Sequence, residues 1–264
     1  MDKFEKFKAG ASQAWSTFQP FESITGTAAP YLVRFAKVSA GQKVLDVGSG
    51  TGVVALTAAR TGATVTGSDL SPGLLEHARH NAALAGLEIP FQEADVENLP
   101  FKDNEFDVLL SQFGHMFGPQ ADKTLAEMLR VLKPGGTIAF STWPPEVYTG
   151  QMFKLLGKYA PPPPEGLDPP VLWGSPDIVT ERFADSVSAL TFNRATMFFP
   201  TLSPAHMRMF MEANVGPVEK LVHELEAKPD VLAEFRAEFE ALISIYFENN
   251  TVRQDFLMTR AIKR

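Results

Sequence analysis

The stretch VLDVGSGTG, Val44 to Gly52, decides the fold. A short apolar run carrying one aspartate ends in three glycines spaced GxGxG, and VVALTAARTG, 53–62, then returns to helical spacing. A buried strand that turns straight into a helix is the unit from which parallel sheets are wound. Glycine at the turn admits positive φ and lets a ligand reach the main chain without meeting a Cβ. A helix beginning near Thr51 would aim its free N–H groups at the same place.

Working outward, the alternation continues. TVTGSD, 64–69, reads as a second strand, and SPGLLEHARHNAALAG, 71–86, as a helix with Ser71 as N-cap and Pro72 in its first turn. IPFQEAD, 89–95, and FDVLLSQF, 106–113, follow as third and fourth strands. KTLAEMLRVLKPGG, 123–136, is a helix closed by Pro134 and two glycines, and TIAFSTW, 137–143, a fifth strand. Strict alternation predicts an α/β fold, a Rossmann-like doubly wound and mostly parallel sheet with right-handed crossovers. Ligands of such sheets bind beyond the carboxyl ends of the strands.

Beyond Trp143 a proline run, Pro161–Pro164, is followed by a capped helix in SPDIVTERFAD, 175–185. VSALTFNRATMFF, 187–199, and VRQDFLMTRAIKR, 252–264, complete an expected seven-stranded sheet. Between these two lies a helical block, with Val218, Leu221, Val222 and Leu225 on one stripe and Leu232, Phe235, Phe239, Leu242, Ile243 and Tyr246 on the next. The expected organisation is N-terminal helices over 1–40, broken at Pro20 and Pro30, a main domain over 41–202 plus 251–264, and a helical cap over 203–250.

Composition narrows the function. With 45% hydrophobic and 21% charged residues the chain is an ordinary globular one. No apolar run approaches the roughly 18 residues of a membrane span, and MDKFEKFKAG lacks a signal-peptide core, so a cytoplasmic protein is expected. Cysteine is absent, which excludes disulfides, thiolate ligands and cysteine nucleophiles. The five histidines, 77, 80, 115, 206 and 223, match no zinc spacing, His77 and His80 reading as a solvated helix face, so no metal is expected. A net charge of −7 with scattered basic residues opposes nucleic acid as partner.

The strand ends suggest what is bound. GxGxG departs from the GxGxxG of dinucleotide sites, which would need glycine at Val53. Asp46 can organise the turn or reach an ammonium group through water. Asp69 ends the second strand, placed to take both ribose hydroxyls. Asp95 can accept from an exocyclic adenine amine while the Val96 N–H donates to a ring nitrogen. An amino-acid-like end, a ribose and an adenine together describe S-adenosylmethionine.

VLDVGSGTG, GSDLS, EADVENLPF, FDVLLSQFG and LRVLKPGGTIAFSTW resemble the ordered motifs of class I S-adenosylmethionine-dependent methyltransferases, over about residues 40–145. The likeness is greatest to the branch that holds the ubiquinone/menaquinone-biosynthesis C-methyltransferases and related small-molecule enzymes. It implies that Gly48, Ser49, Gly50, Thr51 and Gly52 surround the methionine part, Asp69 and Leu70 the ribose, and Asp95 and Val96 the adenine. Ser111 and Gln112 would lie by the sulfonium, with S-adenosylhomocysteine as product. The chain departs from the quinone enzymes after the fourth strand, in SQFGHMFGP and in the added cap.

Methyl transfer from a sulfonium depends mostly on positioning, which supplies about 7–11 kcal/mol in favourable intramolecular cases. A base is needed only where the acceptor must lose a proton. His115, just past the fourth strand, is the candidate base, set against an ordinary loop histidine; Tyr148 is a second, and Gln112 a positioning group. Trp15, Phe18, Phe113, Phe117, Trp143 and Tyr148 are candidates for an apolar acceptor pocket, set against ordinary core packing. Met207 and Met211 are candidates for an adaptable pocket in the cap. The expected activity is methyl transfer to a small, largely apolar acceptor, without nucleic-acid partners or a membrane span. The alternatives are a non-catalytic adenosylmethionine-binding protein, a nicotinamide-dependent oxidoreductase, and methylation of a macromolecule.

Overall fold

Strand β1 (Lys43–Val47) buries four consecutive residues, Val44 to Val47, as a central parallel strand covered on both faces must. A computed structural model describes residues 3–264, so residues 1 and 2 of the N-terminal segment lie outside it. Strands β2 (Thr64–Asp69), β3 (Phe91–Glu93), β4 (Phe106–Gln112) and β5 (Leu132–Thr142) join β1 in parallel, in the order β3-β2-β1-β4-β5. The long β8 (Thr251–Lys263) adds antiparallel to β5, and β6 (Val187–Pro200) pairs antiparallel with β8 to form the edge. A two-residue β7 (Phe247–Glu248), absent from the sequence reading, hairpins onto β8 and makes the sheet eight-stranded.

Helices cover both faces. α2 (Glu22–Ala36), α3 (Val53–Ala59) and α4 (Pro72–Leu84) bury Ala29, Leu32, Val33, Val54, Ala55, Leu75 and Ala78 against one face. α5 (Ala121–Val131), α6 (Tyr148–Tyr159) and α7 (Pro176–Phe183) pack into the core on the other. In α5 the buried residues Ala121, Thr124, Leu125, Met128 and Val131 fall on a single stripe of 3.6-residue period. Three helices, α8 (Pro204–Asn214), α9 (Gly216–Leu225) and α10 (Pro229–Tyr246), occupy the interval between β6 and β8.

Two boundaries differ from expectation for physical reasons. α2 runs on through Pro30, giving up one backbone hydrogen bond, because Ile24, Ala28, Ala29, Leu32, Val33 and Ala36 lock its inner face onto the sheet. α5 ends at Val131, and Leu132 already pairs with Phe106, so Pro134 and both following glycines sit in β5 and not at a helix end. α1 (Lys3–Trp15) and a 3-10 turn, Ser16–Phe21, lead across the carboxyl ends of the strands to α2.

Candidate functional site

The carboxyl ends of β1, β2 and β4 open into a cavity whose lining runs along the chain from Lys8 to Gln254. Its floor begins at the glycine turn, where Gly48, Gly50 and Gly52 have φ of +63°, +53° and +86°. The three do different work. A Cβ on Gly48 would stand 2.7 Å from Gly114 Cα, so this glycine lets two backbones touch. One on Gly52 would meet Leu56, Ala78 and Phe91 at 3.0–3.2 Å, within the core. Only at Gly50 would it meet nothing within 4 Å, leaving bare main chain toward the cavity. α3 starts at Val53, two residues later than Thr51.

Asp69 ties the turn together. Its Oδ2 accepts the Gly50 N–H at 2.8 Å and its Oδ1 the Ser71 N–H at 2.9 Å, and the Leu70 amide adds a third backbone donor. Burial pushes its carboxyl above the usual range, against the pull of these amide donors. Asp46 is buried with no side-chain partner, and burial, joined by the charge of Asp69, pushes its carboxyl well up against the weaker pull of the Ala55 amide. Burying a carboxylate costs several kcal/mol, roughly, unless a cation or further donors reach it. The Ser49 hydroxyl is buried without a partner.

At the third strand end, Asp95 Oδ1 accepts the Glu97 N–H at 2.9 Å. Its Oδ2 is held by Lys8 of α1 at 2.5 Å, and the same ammonium reaches Glu97 at 2.7 Å. The N-terminal helix is thus tethered across this end of the cavity, an arrangement that nothing in the local sequence of α1 announces. Leu70 and Val96 line the cavity alongside.

Ser111 and Gln112 part company. The Ser111 hydroxyl donates to the Val47 carbonyl at 2.6 Å and accepts the His115 N–H at 3.0 Å, so it braces the turn and is not among the lining residues. Gln112 lines the cavity; its Nε2 donates to the Thr25 carbonyl at 2.9 Å, and its Oε1 is buried without a partner. Phe113 follows at φ +60°, a strained conformation for a bulky residue that costs on the order of 1–3 kcal/mol. It turns the ring onto Trp143, stacked at a centroid distance of 3.9 Å.

The walls beyond are aromatic. Trp15 packs on Phe117 at 4.5 Å and on Phe18 at 5.5 Å, and Phe18 stacks on Phe21 at 4.6 Å. Phe21 in turn meets Phe199 and Phe210, joining the N-terminal segment to β6 and α8. Met152, Phe153, Met197, Met211, Val215, Thr149 and Gln254 also line the cavity, and of these only Met211 carries a sequence expectation. Met207 is buried but does not line the cavity, and Met209 faces out.

Two expected residues are enclosed, His115 at the edge of the cavity lining and Tyr148 outside it. His115 is fully buried, its ring 4.4 Å from Phe140 and 4.8 Å from Trp173, with neither nitrogen hydrogen-bonded. Burial, with the charge of Arg182, lowers its pKa to about 3, so the ring is neutral and walled from water. Tyr148 opens α6 fully buried against Tyr246, outside the cavity lining; burial pushes its phenol up. Neither ring is placed as an accessible base. Among the described residues no helix is long and apolar enough to cross a membrane.

Comparison with known proteins agrees with this geometry. Residues 44–136 match the family described as a methyltransferase domain. An uncharacterised protein of Mycobacterium tuberculosis is 35% identical over 243 residues, 92% of this chain and 89% of its own length. Demethylmenaquinone methyltransferase of Thermus thermophilus is 40% identical over 115 residues, 43% of this chain and 52% of that one. The crystal structure of the YcgJ protein of Bacillus subtilis superposes with a TM-score of 0.62 at 19% identity, covering 90% of this chain and 98% of that chain, a likeness of fold.

Proposed function

The chain belongs to the class I S-adenosylmethionine-dependent methyltransferases, and on that premise we propose that it methylates a small, largely apolar organic acceptor held between the aromatic walls. The observation that carries this reading is the cavity itself. A polar floor along the strand ends adjoins a chamber walled by Trp15, Phe18, Phe113, Phe117, Trp143 and Phe153.

S-adenosylmethionine, when bound, supplies a methyl group on a sulfonium sulfur, ready for in-line displacement. The floor suits it on three counts. Bare backbone at Gly50 would admit the methionine part, with the buried Asp46 carboxyl and the Ser49 hydroxyl also in the floor. Asp69 and Leu70 would hold the ribose. Asp95 and Val96 would hold the adenine, Asp95 sharing its carboxylate with Lys8. The aromatic walls exclude water and present ring faces to the sulfonium, an attraction of about 0.5–2 kcal/mol. We assign the rate gain to alignment, since the nearest imidazole, His115, is neutral and enclosed.

The test is an incubation of the protein with methyl-labelled S-adenosylmethionine and a fractionated cell extract, beside an Asp69→Ala control. Label entering a lipid-soluble small-molecule pool, and lost in the control, is the expected result. Label in protein or nucleic acid would overturn the small-acceptor reading. Donor binding without any transfer would favour a binding protein instead.

A further inference from the structure

The methionine part of the donor would bring an ammonium group to the glycine turn, and one carboxylate there is left open to meet it. Among the described residues, four acidic side chains line the cavity: Glu22, Asp46, Asp69 and Asp95. Three of them are committed. Both Asp46 oxygens are enclosed, with the Ala55 amide against the carboxyl, so Asp46 braces the start of α3 and offers no surface to a ligand. Asp69 is held by the amides of Gly50, Leu70 and Ser71. Asp95, beyond β3, is paired with Lys8 and accepts the Glu97 N–H.

Glu22 differs from all three. It opens α2, and its Oε2 accepts from the Asn81 amide at 2.6 Å. The same Asn81 nitrogen donates to the Thr51 carbonyl at 3.1 Å, so a single side chain fixes the carboxylate beside the glycine turn. One helical turn on, a Cβ at Gly26 would stand 3.7 Å from Val53, the first residue of α3, which shows how closely this stretch of α2 lies on the turn. The second oxygen, Oε1, has no partner and keeps accessible surface on a half-buried residue of the lining. An ammonium group drawn from water into such a site needs a counter-charge as well as acceptors.

Resting on the methyltransferase reading above, we propose that Glu22 is a donor-binding residue, the counter-ion of the α-ammonium group of S-adenosylmethionine. Its Oε1 accepts from the ammonium while Asn81 holds Oε2. The residue lies outside the stretch 44–136 that matches the family, and no motif of the sequence points to it. Holding the end of the donor remote from the reacting methyl helps to fix the sulfonium for in-line attack. Phe21, the residue just before it, belongs to the aromatic walls, so the start of α2 serves donor and acceptor together.

The experiment is calorimetry at neutral pH on the intact protein with two probes, S-adenosylhomocysteine and its deaminated analogue, in which hydrogen replaces the α-amino group. The wild type should bind S-adenosylhomocysteine about tenfold or more the tighter, the scale of one charge-assisted hydrogen bond. In Glu22→Gln, which keeps the shape and an oxygen for Asn81, S-adenosylhomocysteine should weaken by about tenfold or more and the analogue by less than about threefold. Glu22→Ala gives the same comparison should the glutamine variant fail to fold. Equal affinity of the wild type for the two probes, or a preference that survives in the variants, would overturn the proposal. So would a matching loss of both probes, which would make Glu22 a brace for Asn81 and the turn. Failure of the wild type to bind S-adenosylhomocysteine at all would sink the methyltransferase reading instead, a result read before any variant is compared.

Discussion

Replacing Gly48 and Gly50 by alanine, one at a time, separates two roles that the GxGxG pattern joins. At Gly48 φ is +63°, and a left-handed alanine costs about 1–2 kcal/mol. The new methyl would also press on Gly114 Cα at 2.7 Å and its carbonyl carbon at 3.1 Å, backbone atoms that cannot swing aside, adding about 1–3 kcal/mol of overpacking. The total of about 2–5 kcal/mol corresponds to a fall of roughly 4–20 °C in melting temperature for a chain of this size. At Gly50, φ +53° brings the same backbone cost but no contact within 4 Å, so the fall should be only roughly 2–8 °C. Its methyl would instead stand on the donor's bare backbone, weakening S-adenosylhomocysteine by roughly tenfold or more, the scale of one lost close contact. Thermal melts and calorimetry on both variants measure this. Equal destabilisation, or a Gly50→Ala protein that binds S-adenosylhomocysteine like the wild type, would refute the division of labour.

Further expectations concern the charged groups. The Asp46 carboxyl titrates higher folded than its ordinary value of 3.8, so the free protein should lose stability as pH rises above that value. Asp46→Asn should remove this component, raising the melting temperature at pH 8 more than at pH 5 while weakening S-adenosylhomocysteine; an unchanged pH profile would contradict the burial argument. Since the His115 ring is lowered to about 3, kcat/KM for methyl transfer should show no ionisation of the enzyme near the ordinary histidine value of 6.5, and a sigmoid there would restore His115 as a base. By the same linkage the ring withdraws stability as pH falls below 6.5, so His115→Asn, if folded, should flatten the acid side of the wild-type stability curve. Lys8→Met should speed amide exchange in residues 3–15 and leave the sheet unchanged, and uniform exchange would mean that the ion pairs with Asp95 and Glu97 do not hold α1.

What was legible in the sequence was whatever local chemistry encodes. Alternating apolar runs and breakers mark the strands of the parallel half, and the aspartates at 46, 69 and 95 stand at or just past strand ends, where the cavity opens. What escaped depends on contacts between distant residues. That Gly48 serves Gly114 is invisible until the two turns are folded together. Tyr148 was drawn to the chamber by its aromatic character, but the phase of α6 turns Thr149, Met152 and Phe153 inward and leaves Tyr148 against Tyr246. The place of His115 after β4 does bring it to the cavity edge, but its ring is packed between Phe140 and Trp173, contacts that only the folded chain shows. Lys8 carried no signal, since a lysine on a short amphipathic helix looks the same whether it bridges two carboxylates or faces water.

The lining of the cavity is divided along the chain as well as in space. Its floor is drawn mostly from residues 46–119, while most of the facing walls come from 15–25, 143–153, 197–215 and 254. The strands beneath the floor are held by their own ladder, and the walls meet the floor at a few contacts, Gln112 with Thr25, Phe113 with Trp143 and Phe117 with Trp15. The fold therefore behaves as a fixed socket with an interchangeable hood. A change in the hood reshapes the chamber while the strand ladder beneath the floor keeps its pairing.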